Sequence, residues 1–262
     1  MKSQIHKVHF FVQENSIVRQ IWGKSDTILL IFAGASAEFA LNKAVDWLYF
    51  TGRLPADPLG RLFSTVSYAR MIVFSENKEA LHTIERMVKI HTQVEENRAV
   101  KIPDWAYRDV LYLLVDYSIR AFELLERKLT QSEKNEVFDV FYRLGKAMRI
   151  SALPETYEDW TVQRESQLSK NLHYSSYTQD LFEQYRKHLG QVRFWLLREV
   201  QKWLVPPPVN NLLGFKNRSY LLPLVSLYKL LKKIRFDKPL KALIIPPSYH
   251  REIKRLEIPL YV

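Results

Sequence analysis

The sequence predicts an all-α protein, and three observations carry that prediction. Leu, Ile, Val, Phe, Tyr and Trp are plentiful, glycine is scarce at 7 of 262 residues, and the intervals between breakers are long enough for helices of several turns. Strands have little support. At 31.1 kDa the chain is long enough to bury a large core. It contains no internal repeat, low-complexity tract or linker that would divide it, so one helical domain spanning 1–262 is expected.

Near the start, Ile21-Trp22-Gly23 leads to Ser25 or Asp26, either one a suitable N-cap, and then into a long apolar run. One central helix ending near Trp47 is expected. The apolar stretch 27–41 is interrupted by Glu38 and is shorter than the roughly 20 residues of a membrane-spanning helix, so it reads as a buried helix. Gly34, Ala35, Ser36, Ala37 and Ala40 would let a second helix, or a flat ligand, come close, and helix packing is the better reading.

Thr51-Gly52 to Pro55 breaks the chain, and Asp57-Pro58 restarts it with a capping residue followed by proline at the first helical position. On a 3.6-residue period Arg61, Thr65, Tyr68, Ala69 and Ile72 share a face. Ser75-Glu76 caps the next helix, whose apolar face is Ala80, Leu81, Ile84, Met87, Val88 and Val94. His91 stands at the centre of that face, and His82 falls almost opposite.

Pro103-Asp104 opens a helix expected to reach about Lys128, and Thr130-Gln131-Ser132-Glu133 is a capping box that opens another. A further helix follows Pro154, with Glu155, Glu158 and Asp159 suited to the positive end of a helix dipole. Residues 171–178 read as a loop. From 180 to 204 one or two helices should bury Leu181, Phe182, Tyr185, Phe194, Trp195 and Leu197 before Pro206-Pro207-Pro208 ends them. A last helix is expected over 219–234, followed by an extended tail with prolines at 239, 246, 247 and 259.

Several function classes lack their residues. Without cysteine there can be no disulfide framework, thiolate metal site or cysteine nucleophile. No GxGxxG, GxxxxGK[ST] or GxSxG motif occurs, so phosphate-cradling loops and an elbow-borne serine have no support. The opening residues lack the apolar core and cleavage site of a signal peptide, and a cytoplasmic location is the default expectation. A formal charge of +11 and a pI near 9.6 suit an anionic partner, whether nucleic acid, lipid surface or small acidic molecule. The basic segment LYKLLKKIRF reads better as a solvated helix face than as a nucleic-acid interface. No nucleic-acid partner is expected, and peripheral membrane contact through the basic surface stays open.

The polar residues on apolar faces are the candidates for chemistry. His91 is either a core histidine bonded to a backbone carbonyl or an axial ligand to haem iron. No HxxxH or HxxE pattern surrounds it, which favours a porphyrin, with its four nitrogens, over a metal held by several side chains. Arg61 either lays its stem on the core with its head in solvent or binds a haem propionate or other buried anion, with Thr65 one turn away.

The run DPLGRLFSTV, followed by VFSENKEALHTIERMVKIHTQV, resembles the signature of the haem-dependent oxygenase family of latex clearing protein (rubber oxygenase) and the fungal oxygenase of mycophenolic acid biosynthesis. That signature is an arginine and a threonine four apart, then a histidine in an I/V-H-x-x-V helix. Arg61, Thr65 and His91 occupy those places. The resemblance continues through IWGKSDTILLIFAGASAEFAL, DVLYLLVDYSIRAFELLERKLTQSE and EVQKWLVPPPVNNLLGF, and so covers most of the chain.

The resemblance implies an all-helical fold with haem b between helices, His91 as the iron ligand, and Arg61 and Thr65 lining the pocket. It also implies an oxygenase that inserts dioxygen, its co-substrate, into a carbon–carbon double bond of a hydrophobic, isoprenoid substrate. Departures accompany it. Leu41-Asn42-Lys43 stands where many relatives have His-Pro, and Asp109-Val110-Leu111 where they often have Trp-Val-His. Asp46 lies close to the expected place of an acidic base. The alternatives are a haem sensor or carrier without catalysis, and a non-haem basic helical protein that binds membrane or nucleic acid.

Overall fold

The computed structural model describes residues 9–52, 56–215 and 228. Among them every regular element is a helix, and the extended contacts are isolated bridges, Phe10 with Glu76 and Asn42 with Leu172. The all-α prediction holds. The helix expected over 219–234, Tyr228 apart, and the proline-rich tail lie outside the described residues.

The first helix, α1 (Ile17–Trp22), was not predicted. It is only six residues long and buried on nearly every side, so it has no apolar stripe to read, and Ser16 caps it by accepting from the Val18 amide. Trp22 is fully buried, meets Phe32 edge-on and donates to Ser118 Oγ at 3.2 Å.

The expected single central helix is two, α2 (Ser25–Phe39) and α3 (Val45–Phe50). Asn42 makes the break. Its side-chain oxygen accepts from the Ala44 amide at 2.7 Å, giving the backbone an alternative to the helical ladder, while its amide donates to Asp109 at 2.8 Å. The Lys43 amide and the Leu41 carbonyl are engaged by Asn171 and His173. Neither predicted cap serves α2: Lys24 holds the N-cap position without a side-chain bond, and Asp26 lies in the first turn.

Next, α4 (Pro58–Phe74) starts as predicted, with the Asp57 carboxylate accepting from the Gly60 amide and proline in the first turn. It packs against α5 (Asn77–Arg98), which leads to α6 (Asp104–Leu125), the most buried long helix. The capping box at Thr130 and Glu133 opens α7 (Gln131–Ala147), and Thr156 caps α8 (Tyr157–Lys170) with Glu158 and Asp159 in its first turn. A second capping box, Ser175 with Thr178, starts α9 (Ser176–Leu204) earlier than expected. Pro206 to Pro208 end α9 but also open a short helix, α10 (Pro207–Leu212), because proline suits a first turn.

Packing centres on α2 against α6. The small residues of α2 serve helix packing: a Cβ at Gly34 would lie 2.3 Å from the Tyr117 ring and 3.2 Å from Leu204. Inside α9, Gly190 adopts φ 73 and ψ 169, outside helical space. A straight helix would separate residues 182 and 194 by about 18 Å, yet the rings of Phe182 and Phe194 are 6.4 Å apart. The two halves of α9 therefore fold back on each other at Gly190. Beyond that bend Gln201 and Leu204 are buried, and Trp195, expected inside, falls off their line and is 47% exposed. Among the described residues no helix is long and apolar enough to cross a membrane.

Candidate functional site

His91 sits where the burial of α5 thins out. Earlier in the helix Ala80, Thr83 and Ile84 are buried, but Met87, Val88, His91 and Val94 are only half-buried. His82 is exposed, as its phase predicts. Leu81 is a correction: it is 44% exposed because Thr83 takes the buried place beside Ala80 and Ile84, its hydroxyl accepting from Arg86.

His91 Nδ1 lies 2.8 Å from the Met87 carbonyl oxygen. A carbonyl can only accept, so Nδ1 carries the proton and Nε2 keeps its lone pair. The Tyr107 ring of α6 packs edge-on at 5.3 Å. Its hydroxyl donates to Glu95 Oε1, which also accepts from the Ile102 amide, tying the end of α5 to the start of α6. Burial lowers the His91 pKa, the Met87 carbonyl and Glu95 oppose that, and the Arg61 charge adds to it. The imidazole is held neutral, which is the form that can ligate a metal.

Arg61 and His91 are thus close enough to act on each other across the α4–α5 pair. Arg61 is half-buried, and Thr65 Oγ1 donates to its carbonyl at 3.2 Å. The threonine proton is committed to its own helix, and its lone pairs remain for an incoming donor. Two turns beyond His91 on the same face, Arg98 bonds Asp46 at 2.9 Å, and its guanidinium lies 4.0 Å from the Trp47 ring centroid. Asp46 is therefore an ion-pair partner that fastens α3 to the His91 helix. Among the described residues no three His, Asp or Glu side chains gather closely enough to hold a metal by themselves.

Asn42 and Asp109, from the two segments read from sequence as departures from the family pattern, meet in space. Asn42 and Asn171 both donate to the buried Asp109 carboxylate, at 2.8 and 2.9 Å. Burial raises the Asp109 pKa, and the two amide donors offset part of that rise.

Sequence reasoning missed the most buried charges of all. Arg164 of α8 grips both oxygens of Glu38, at 2.5 and 2.6 Å, and reaches Asp116 at 2.8 Å. Tyr117 donates to Glu38 at 3.0 Å, Gln167 joins Arg164, and Arg120 holds the other Asp116 oxygen at 2.6 Å. Burial would raise the Asp116 pKa, but the charges of Arg164 and Arg120 outweigh it and hold the carboxyl below the usual range. The one signal available was Glu38 inside an apolar run, since a buried carboxylate needs a partner. Its partner, 126 positions away, carried none.

Comparison with curated proteins and with solved structures gives no significant match. A family profile does match, described as "ER-bound oxygenase mpaB/B'/Rubber oxygenase, catalytic domain", over residues 21–231. That span takes in α2 to α10 with Arg61, Thr65 and His91 among its residues, so the chain belongs to the mpaB and rubber oxygenase catalytic-domain family.

Proposed function

We propose that this oxygenase-family protein binds haem b through His91 Nε2 and uses dioxygen to cleave a carbon–carbon double bond of a hydrophobic, isoprenoid substrate. The observation that carries the reading is the state of His91: neutral, its Nδ1 proton on the Met87 carbonyl, its Nε2 lone pair available. A single ligand of that kind suits a macrocycle that brings its own four nitrogens.

Haem iron would supply the dioxygen chemistry. The chain's own residues do the rest. Met87 fixes the orientation of the imidazole, and Tyr107 buttresses its edge. Arg61 offers a planar cation for a propionate carboxylate, and Thr65 a pair of acceptor sites one turn on. Met87, Val88 and Val94, half-covered beside His91, give an apolar wall for a flat ring and exclude water. The continuous family match supports reading the chain as one catalytic domain. The basic balance of +11 is compatible with contact at an anionic membrane surface, where an isoprenoid substrate would partition.

The test is incubation of haem-loaded protein with isoprenoid substrates under ¹⁸O-labelled dioxygen. Label in new carbonyl products is expected. Haem bound without any labelled product across a broad substrate screen would leave the sensor or carrier reading in its place. One observation favours that second reading: Asn42 and Asp109, from the two segments that depart from the His-Pro and Trp-Val-His pattern, are bonded to each other and to Asn171.

A further inference from the structure

The bend in α9 forms one side of an open cavity of about 340 Å³ that shares no lining residue with the His91 face. Phe182, Glu183 and Arg186 come from the first half of the helix, Phe194 and Arg198 from the second, and Tyr174 and Leu213 from the flanking chain. Phe182 and Phe194 meet edge to face across the fold and with Tyr174 form an aromatic part of the wall.

Arg198 is the unusual member. Its guanidinium carbon lies 4.7 Å from the Phe182 ring centroid and 4.3 Å from that of Phe215. Two rings crowd its faces, which leaves the N–H groups at its edge as the ones free to bond in the cavity. Among the described residues no carboxylate lies within ion-pairing reach of it, although Glu183 lines the same cavity. Burial lowers its pKa, and the neighbouring Tyr174 opposes that in part. The buried arginines are provided for: Arg164 has two carboxylates, Arg70 donates to the Trp22 carbonyl and Arg19 to the Val12 carbonyl. A half-buried cation without a counter-charge is costly unless an anion joins it. Arg186, exposed at the rim, adds a second positive charge, so the two arginines outweigh Glu183.

We propose that this cavity is a binding site for an amphipathic organic anion, a carboxylate whose apolar body lies against Phe182, Phe194 and Leu213 while its head takes the edge of Arg198. A carboxylate matches the planar fork with two parallel N–H···O bonds, and the aromatic wall accepts an alkyl or aryl chain. The site is independent of haem at His91.

Calorimetry on the full chain as purified, with decanoate, decanol and acetate as probes, tests it. Decanoate should bind saturably at one site, with decanol and acetate each at least about tenfold weaker, since the head group and the chain each contribute. Arg198→Gln should weaken decanoate by about tenfold or more while leaving decanol unchanged. Arg186→Gln, at an exposed position, should give a smaller loss that fades with added salt. His91→Ala should leave decanoate binding unaltered, which separates this site from the haem pocket. Equal binding of decanoate and decanol, a folded Arg198→Gln protein that binds decanoate as the parent does, or no decanoate binding up to its solubility would overturn the proposal.

Discussion

Replacing Arg164 with methionine, close to it in length and apolar, would strip Glu38 of its charged partner and leave Asp116 with Arg120 alone. The Arg164 and Glu38 side chains are 5% and 0% exposed, so water cannot take over the lost role. Removing one partner of a buried pair costs about 3–5 kcal/mol. Tyr117 and Gln167 still bond Glu38, which places the expected loss near the lower end, at about 3 kcal/mol. For a chain of this size that is a fall in Tm of roughly 6–12 °C.

The pH dependence follows from Asp116. In the parent its folded pKa is depressed, so it contributes stability above the ordinary carboxylate range and loses that contribution as pH falls through the folded value. In Arg164→Met the main lowering charge is gone and burial raises the carboxyl instead. The destabilisation should therefore be largest near neutral pH and shrink below about pH 5 as the buried acid takes up a proton. Urea unfolding followed by circular dichroism at several pH values measures this. A loss under about 1 kcal/mol at pH 7.5, or one that does not vary with pH, would refute the claim that this cluster holds α2, α6 and α8 together.

Other outcomes follow from single contacts. Gly34→Ala drives a methyl group into the Tyr117 ring and should cost about 1–3 kcal/mol in urea unfolding, despite alanine's better helix propensity. Thr130→Ala removes the side-chain half of the capping box at α7, leaving the Glu133 carboxylate on the backbone amide of residue 130, and should cost about 1 kcal/mol by the same assay. His91 titrates below its ordinary value because it is buried, so its contribution to stability should be complete above about pH 6.5 and decline as pH falls below that. His91→Gln should flatten that stretch of the stability–pH curve, and an unaltered slope would show that another group sets it.

Helix type and most helix starts were legible because their signals are local. Asp57-Pro58 and Thr130 with Glu133 cap the helices that their spacing announces. The same locality explains the misses. The break at Asn42 depends on Asp109 and Asn171, which chain order keeps 67 and 62 positions from the residues they bond. Trp195, expected in the core, lies beyond the bend at Gly190, which turns the second half of α9 and leaves that ring exposed. At the candidate site, phase alone separated His91 from His82, and the resemblance joined His91 to Arg61 and Thr65. What no local pattern carried was the Arg98–Asp46 pair behind His91 and the Arg164 cluster in the core.

The central claim is that His91 ligates haem iron, and the absorption spectrum of protein expressed with added haem precursor tests it most directly. The account predicts a Soret band that is lost or strongly shifted in His91→Ala, with the variant still folded by circular dichroism. A folded parent protein without a Soret band, or a band that His91→Ala leaves unchanged, would contradict it.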